Sequence, residues 1–195
     1  MKKETRFLKN MEKVVFDKNF AKKFPDLELY YMYRGVKKED GVRYDITVIP
    51  AQILGKEFTR TKGNRNSNDF PELYTVLEGK AIFLMQKAKP SFAEASEGKG
   101  KIEDVFVVKA KRGEFVIVPP KYAVITINLS KETLKLGNWV SEKNENIYEE
   151  LEKMGGACYF YTQSGWIKNK NYKKIPPLRF EKPLKEKPEN LDFLK

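Results

Sequence analysis

From Leu27 onward the chain is a series of short runs of β-branched and aromatic residues. Turn residues cut them at intervals of roughly 8–12 positions, and this rhythm constrains the fold more than any other feature. LELYYMYRGV and VRYDITVIPA flank KKEDG, whose Asp40-Gly41 pair is a hairpin signal. QILGKEFTRTKG reads as strand and loop, and NRNSNDFP (64–71) carries strong turn chemistry. ELYTVLEGKAIFLMQ (72–86) reads as two strands hinged at Glu78-Gly79. IEDVFVVKA, EFVIVPP, AVITINL, TLKLGNWVS and ACYFYTQSGW follow as further strands. One helix is predicted, over NENIYEELEKMGG (144–156), from Ile147, Leu151 and Met154 at helical spacing and the Gly155-Gly156 stop. About nine strands and one helix predict an all-β fold, an antiparallel barrel or sandwich with a jelly roll favoured. Such a barrel encloses a pocket, so inward-facing polar residues become site candidates.

The segments flanking this pattern differ from it. Residues 1–26 are mixed and basic and read as an N-terminal arm with a short strand or helix, leaving 27–180 as the barrel domain. Within the barrel, 89–101 is rich in small and charged residues and reads as an exposed loop insertion. Residues 181–195, rich in Pro and Lys, read as an extended tail that wraps a neighbour or the body.

Composition removes several functions. The chain of 195 residues contains no His. That excludes serine–histidine triads, cysteine–histidine dyads and ordinary zinc sites. A lone cysteine, Cys158, forms no internal disulfide and reads as a buried inert thiol, which fits a reducing, cytoplasmic setting. No apolar run is long enough to cross a bilayer, and the basic start has no apolar core of a signal peptide. The net charge of +11 comes mostly from Lys spread along the chain rather than from Arg runs. It predicts no nucleic-acid partner; it fits a solvated surface or attraction of a small anion such as a sugar phosphate.

Two stretches carry the chemistry. TKGNRNSNDFPELYTVLEG places Glu72 seven residues before Gly79, and GEFVIVPPKYAVITIN spaces Gly113, Pro119, Val124 and Asn128. These spacings resemble the two cupin motifs. With TKG, PELYTVLEGKAIFLMQ, VPP, NIYEELEKMGGACYFY and NKNYKKIPPLRF in that order, roughly residues 27 to 180 resemble the cupin-type glucose-6-phosphate isomerases. The resemblance implies a double-stranded β-helix, interconversion of glucose 6-phosphate and fructose 6-phosphate, a cytosolic homodimer, and one divalent metal held by three His and a Glu.

The departures fall on that metal. Asn64 and Asn66 stand where the family has paired His, Val124 stands at the third His, and Asn146 stands where a further His is common; Glu72 alone is kept. An amide oxygen is a neutral, hard donor and Val donates nothing, so no resident metal is expected, or at most a weakly held hard divalent cation. The resemblance makes Glu72 the catalytic proton carrier; the alternative is a ligand relic, salt-bridged or binding a hydroxyl. It places Thr47, Thr61 and Gly63 at the phosphate, with Lys62 as counter-charge, and Tyr30, Tyr74 and Tyr148 on the sugar. Asn64 and Asn66 read as turn formers or as partners of a sugar hydroxyl. Gln52, Gln86 and Trp139 are further candidates for the lining. Three activities remain open: an isomerase with a degenerate metal site, a non-catalytic sugar-phosphate-binding pseudo-enzyme, and a dimerising scaffold.

Overall fold

Turns with positive φ set the architecture. In the computed structural model, which describes residues 3–89 and 100–195, Asp40 (φ 48°) and Gly41 (φ 78°) form the tight connection of a hairpin. Gly79 (φ 80°) separates two strands that belong to different sheets, so the chain turns a corner there. The strands are β1 (Lys3–Phe7), β2 (Glu28–Glu39), β3 (Val42–Ile49), β4 (Ile53–Leu54), β5 (Glu57–Phe58), β6 (Asn64–Asn66), β7 (Glu72–Glu78) and β8 (Lys80–Ala88). They continue as β9 (Ile102–Lys111), β10 (Phe115–Val118), β11 (Ala123–Asn128), β12 (Leu134–Ser141), β13 (Asn146–Ile147), β14 (Tyr159–Thr162), β15 (Gly165–Lys168) and β16 (Arg179–Glu181).

One six-stranded sheet runs β1-β2-β3-β12-β7-β10 and a second runs β13-β6-β11-β8-β9-β16. A four-stranded sheet, β15-β14-β5-β4, completes the body. All named pairings are antiparallel except β16 on β9. The main core draws on both six-stranded sheets: Ile49, Val76 and Leu136 from the first, and Phe83, Met85, Ile125 and Ile127 from the second. Burying each such side chain contributes roughly 1.5–3 kcal/mol. This is an all-β jelly-roll barrel, as the strand rhythm predicts.

Several elements differ from the sequence reading. Residues 3–26 are built into the body: β1 pairs with β2, and Leu8, Met11, Val14, Val15 and Ala21 join the main core. Two helices stand among the described residues, not one. The first, α1 (Lys18–Lys23), lies in the segment read as carrying a short strand or helix and is capped by Asp17, whose carboxylate accepts from the Phe20 N–H at 3.0 Å. The late helix α2 shortens to Glu149–Lys153, because Asn146 and Ile147 pair with β6 instead. The insertion read over 89–101 lies outside the described residues except at its ends, where the Lys89 N–H reaches the Lys101 carbonyl.

The last residues cover the outer face of the first sheet. Leu194, fully buried, joins Val42, Leu73 and Trp139 in a second apolar cluster, with Leu191 packed alongside. Leu184 exchanges both backbone hydrogen bonds with Phe115.

Candidate active site

Period-two alternation decides which side chains enter the barrel. On β3, Arg43, Asp45 and Thr47 face inward; on β12, Asn138 and Val140; on β7, Glu72 and Tyr74; on β2, Tyr30 and Met32. The register ties them into levels. Thr47 pairs with Met32 and Leu136, Asn138 sits between Asp45 and Tyr74, and Val140 sits between Arg43 and Glu72. Arg43 and Glu72 therefore share a level two strand spacings apart, about 10 Å between Cα atoms. Thr47 lies four residues along β3, about 13 Å from Arg43.

The resulting cavity has a volume of about 50 Å³ and is lined by Tyr30, Thr47, Thr61, Gly63, Asn64, Glu72, Tyr74, Val124, Asn146 and Tyr148, all expected from sequence. It opens into a wider vestibule of about 500 Å³ that carries Arg6 and Lys38. Arg34, Arg43, Asn144, Asn146 and Tyr148 line both and form the throat between them.

Local structure explains each placement. Thr61 runs beside β11: its N–H donates to the Thr126 carbonyl at 2.9 Å and its Oγ1 accepts from the Thr126 N–H at 3.0 Å. Gly63, at φ 83°, has no room for a side chain, since a Cβ there would come within 2.7 Å of Ile125 and 2.9 Å of Leu151. The Tyr30 hydroxyl accepts from the Lys62 N–H at 3.2 Å. The Lys62 side chain, however, does not line the cavity. Its ammonium lies 2.6 Å from Glu152 on α2 and 4.8 Å from the Tyr148 ring centre, because an acidic first helical turn offers it a nearer partner than the barrel interior. Asn66 is buried beside the cavity and sits in an amide chain. Its Oδ1 accepts from Asn64 at 3.2 Å and from Asn144 at 3.0 Å, while its Nδ2 donates to the Phe70 carbonyl at 2.9 Å.

Glu72 and Asp45 are the two buried carboxyls of the cavity, each 4% exposed. Burial raises the Glu72 pKa above the ordinary glutamate value; hydrogen bonds from Tyr74, Asn138 and Asn66 offset part of that rise. Asn138 Nδ2 lies 2.7 Å from Glu72 Oε2. Burial, and next the Glu72 charge, hold the Tyr74 hydroxyl well above a free tyrosine. At the throat, Asp45 Oδ2 accepts from Arg34 at 3.1 Å and from Arg43 at 3.2 Å, and its Oδ1 accepts from the Gly35 N–H at 2.7 Å. Burial works against the Arg34 charge, but the Asp45 and Glu4 carboxylates outweigh it and raise its pKa.

The donor set does not fit the metal that the resemblance implies. Among the described residues no three His, Cys, Asp or Glu side chains cluster to hold an ion. Asn66 has its oxygen committed to two amide donors, Asn64 turns its N–H toward Asn66, and Val124 donates nothing. Glu72 already accepts from neutral donors where a cation would stand.

Arg34, Arg43, Asp45, Asn138 and Asn144 were missed from sequence. Alternation carried to the whole strand finds Arg43 and Asp45 from Thr47, and Asn138 from its neighbours Leu136 and Val140. Of the further lining candidates none enters. Gln86 bonds the Tyr172 hydroxyl and the Cys158 N–H, Gln52 bonds the Glu28 carbonyl, and Trp139 faces outward beneath Leu194. Cys158 is fully buried, and burial pushes its thiol up to about 12.

A polar cavity in the mouth of a two-sheet antiparallel barrel, reached by β-strand side chains from both sheets, defines a cupin. Within that class the chain belongs to the cupin-type glucose-6-phosphate isomerase family: the family model described as Glucose-6-phosphate isomerase (GPI) matches residues 15–177. The glucose-6-phosphate isomerase of Pyrococcus furiosus is 31% identical over 137 residues, covering 67% of this chain and 66% of that protein. The matched stretch is thus just short of two thirds of the relative's length. Among solved structures, the cupin domain of Schizosaccharomyces pombe Cnp3 is similar at 15% identity and a TM-score of 0.39, over 66% of this chain and 72% of that one. A cupin superfamily protein of Desulfitobacterium hafniense DCB-2 is similar at 12% identity and a TM-score of 0.34, over 57% of this chain and 76% of that one.

Proposed function

We propose that the protein interconverts glucose 6-phosphate and fructose 6-phosphate by proton transfer, with Glu72 as the base and with no tightly bound transition metal. The observation that carries this reading is the buried Glu72 carboxyl, held by neutral donors while Asp45, the other buried carboxyl of the cavity, is paired to Arg34 and Arg43; the same cavity holds Thr47, Thr61, Gly63 and three tyrosines. Thr47 and Thr61 offer hydroxyls to a phosphate, and Gly63 lets the backbone approach it. Tyr30, Tyr74 and Tyr148 offer ring faces to sugar C–H groups. The inner cavity is too small for a sugar phosphate by itself, so the ligand spans cavity and vestibule.

In the open-chain aldose the Glu72 carboxylate takes the proton from C2. The C2–H electron pair becomes the C1=C2 double bond and the carbonyl pair moves onto O1. Glu72 then returns the proton to C1 while the O2 proton moves to O1, which leaves the ketose. A raised pKa suits this exchange, because a base is most useful when its pKa lies near the working pH.

A second reading, sugar-phosphate binding without turnover, is supported by the Asn66 and Asn138 amides that quiet the Glu72 carboxylate. The polar lining counts against a pure scaffold. The homodimer and the cytoplasmic location implied by the resemblance belong to the proposal; no helix among the described residues is long and apolar enough to cross a membrane. A coupled isomerase assay, with deuterium uptake at C2 followed in heavy water, decides between the first two. Turnover and C2 exchange that both vanish in Glu72→Gln support the isomerase. Binding of glucose 6-phosphate without either supports the second reading and overturns the first.

A further inference from the structure

The cavity lacks the imidazole donors of the metal that the resemblance implies, yet it is not without positive charge. Two guanidiniums, Arg34 and Arg43, share the one carboxylate of Asp45 at the throat. Their side chains are 29% and 17% exposed, and that of Asp45 5%. Asp45 neutralises one charge of the two. Glu4, the other acid on Arg34, stands at 3.4 Å and is 38% exposed, so water screens much of it. The pair is held on rigid strand rather than on loop: Asp45 and Arg43 lie on β3, and the Gly35 N–H fixes the far oxygen of Asp45. Arg43 is anchored further by the backbone carbonyl of Asn144 at 3.3 Å.

A second observation points at the same place. Asn144 is 6% exposed, lines both cavity and vestibule, and donates its Nδ2 to Asn66 and Asn146. Its Oδ1 is buried with no hydrogen-bond partner among the described residues. A buried acceptor left unmade costs about 1–3 kcal/mol. A ligand that brings an O–H to the throat relieves that cost. One group with a hydroxyl donor beside an anionic oxygen satisfies Asn144 and the arginines together.

Resting on the isomerase reading, we propose that Arg34 and Arg43, clamped on Asp45, supply the positive charge that the resemblance assigns to a metal. They hold the oxygen on which negative charge develops at the reacting end of the sugar phosphate, while Asn144 Oδ1 accepts the neighbouring hydroxyl. The register supports this division. Arg43 shares its level with Glu72, whereas Thr47 sits about 13 Å away along β3, at the other end of the ligand. A guanidinium fork suits two adjacent oxygens better than a point charge does.

The test uses arabinonate 5-phosphate, whose carboxylate copies the two enediolate oxygens, and arabinitol 5-phosphate, which has a hydroxymethyl group there. Calorimetry is run on the chelator-dialysed protein and on Arg34→Gln, Arg43→Gln and Arg43→Lys. The wild type is expected to prefer the aldonate without added metal. Each Gln variant loses that preference by about tenfold or more while arabinitol 5-phosphate binding moves little, and Arg43→Lys restores part of it. Melting curves identify any variant that fails to fold, in which case Arg43→Lys, which keeps the charge on Asp45, carries the comparison. Turnover is expected to survive chelation and to fall about 100-fold in the Gln variants. Aldonate preference that appears only with magnesium, manganese or nickel overturns the proposal, as does equal loss of both ligands. Aldonate binding through the arginines without turnover upholds the cation and rejects the isomerase; no binding of either ligand rejects both.

Discussion

Glu72 carries opposing demands. Burial disfavours its charge, so its pKa in the folded chain stands above that in the unfolded chain. Between those two values the folded protein binds more protons than the unfolded one, and stability falls as pH rises through the window. Above the window the carboxylate is ionised in both states and the full penalty of burying it persists. Glu72→Gln keeps the shape and removes the charge; the Tyr74 hydroxyl can turn to accept from the new amide. Thermal melts are expected to place Glu72→Gln above the wild type at neutral pH, with the two converging near about pH 4, where a free glutamate protonates. A wild type more stable than the variant at neutral pH would show that hydrogen bonds outweigh desolvation. Since the same variant is expected to lose turnover, residue 72 holds a destabilising group for the sake of function.

At the scale of elements, the same backbone angle has different causes in different turns. Gly41 (φ 78°) closes the β2–β3 hairpin and a Cβ there meets nothing within 4 Å. Gly63 has nearly the same φ, but a Cβ there overlaps Ile125 of β11 and Leu151 of α2. Gly41→Ala is therefore expected to cost only the backbone preference, about 1–2 kcal/mol in denaturant unfolding. Gly63→Ala adds the clash, should cost clearly more, and should weaken phosphate binding as Thr61 and Val124 move apart. Equal losses would refute the distinction. The hairpin was legible because Asp40-Gly41 signals its own turn. The Gly63 contact was not, because Ile125 and Leu151 lie far along the chain and only the fold brings them together. The same reason left residues 1–26 undecided between strand and helix and shortened α2: Asp17 was a usable cap with no apolar period behind it, and the Asn146–Asn66 pairing outcompeted helix propensity. Motif spacing brought Glu72, Asn64, Thr61 and Val124 to one cavity. Arg34, Arg43 and Asn144 stayed hidden because their role depends on a shared carboxylate and an orphaned acceptor, which are properties of side-chain geometry.

Residues 3–26 and 184–194 both pack onto the barrel. A jelly-roll sheet presents two faces, and here the outer face of the first sheet carries Val42, Leu73 and Trp139, an apolar surface that would otherwise meet water. The chain covers it with its final residues, fixed by the Leu184–Phe115 bonds and ended by Leu194 at 0% exposure. Its beginning does the same for the core, through Leu8, Met11 and Val14. Both ends are thus part of the folding unit, while the catalytic proposal involves inward residues of the same strands. Alternation keeps the two faces separate: Leu73 looks out where Glu72 and Tyr74 look in, and Trp139 looks out between Asn138 and Val140. Leu194→Ala removes packing from the outer face alone and should lower stability by about 2–5 kcal/mol in denaturant unfolding. Because the strand backbone is locked by its ladder, aldonate binding and turnover of the folded fraction should stay within about twofold of the wild type, well under 1 kcal/mol. A larger change at the site would mean that the tail sets the position of β7 and β12, and that the outer cover is a working part of the cavity it never touches.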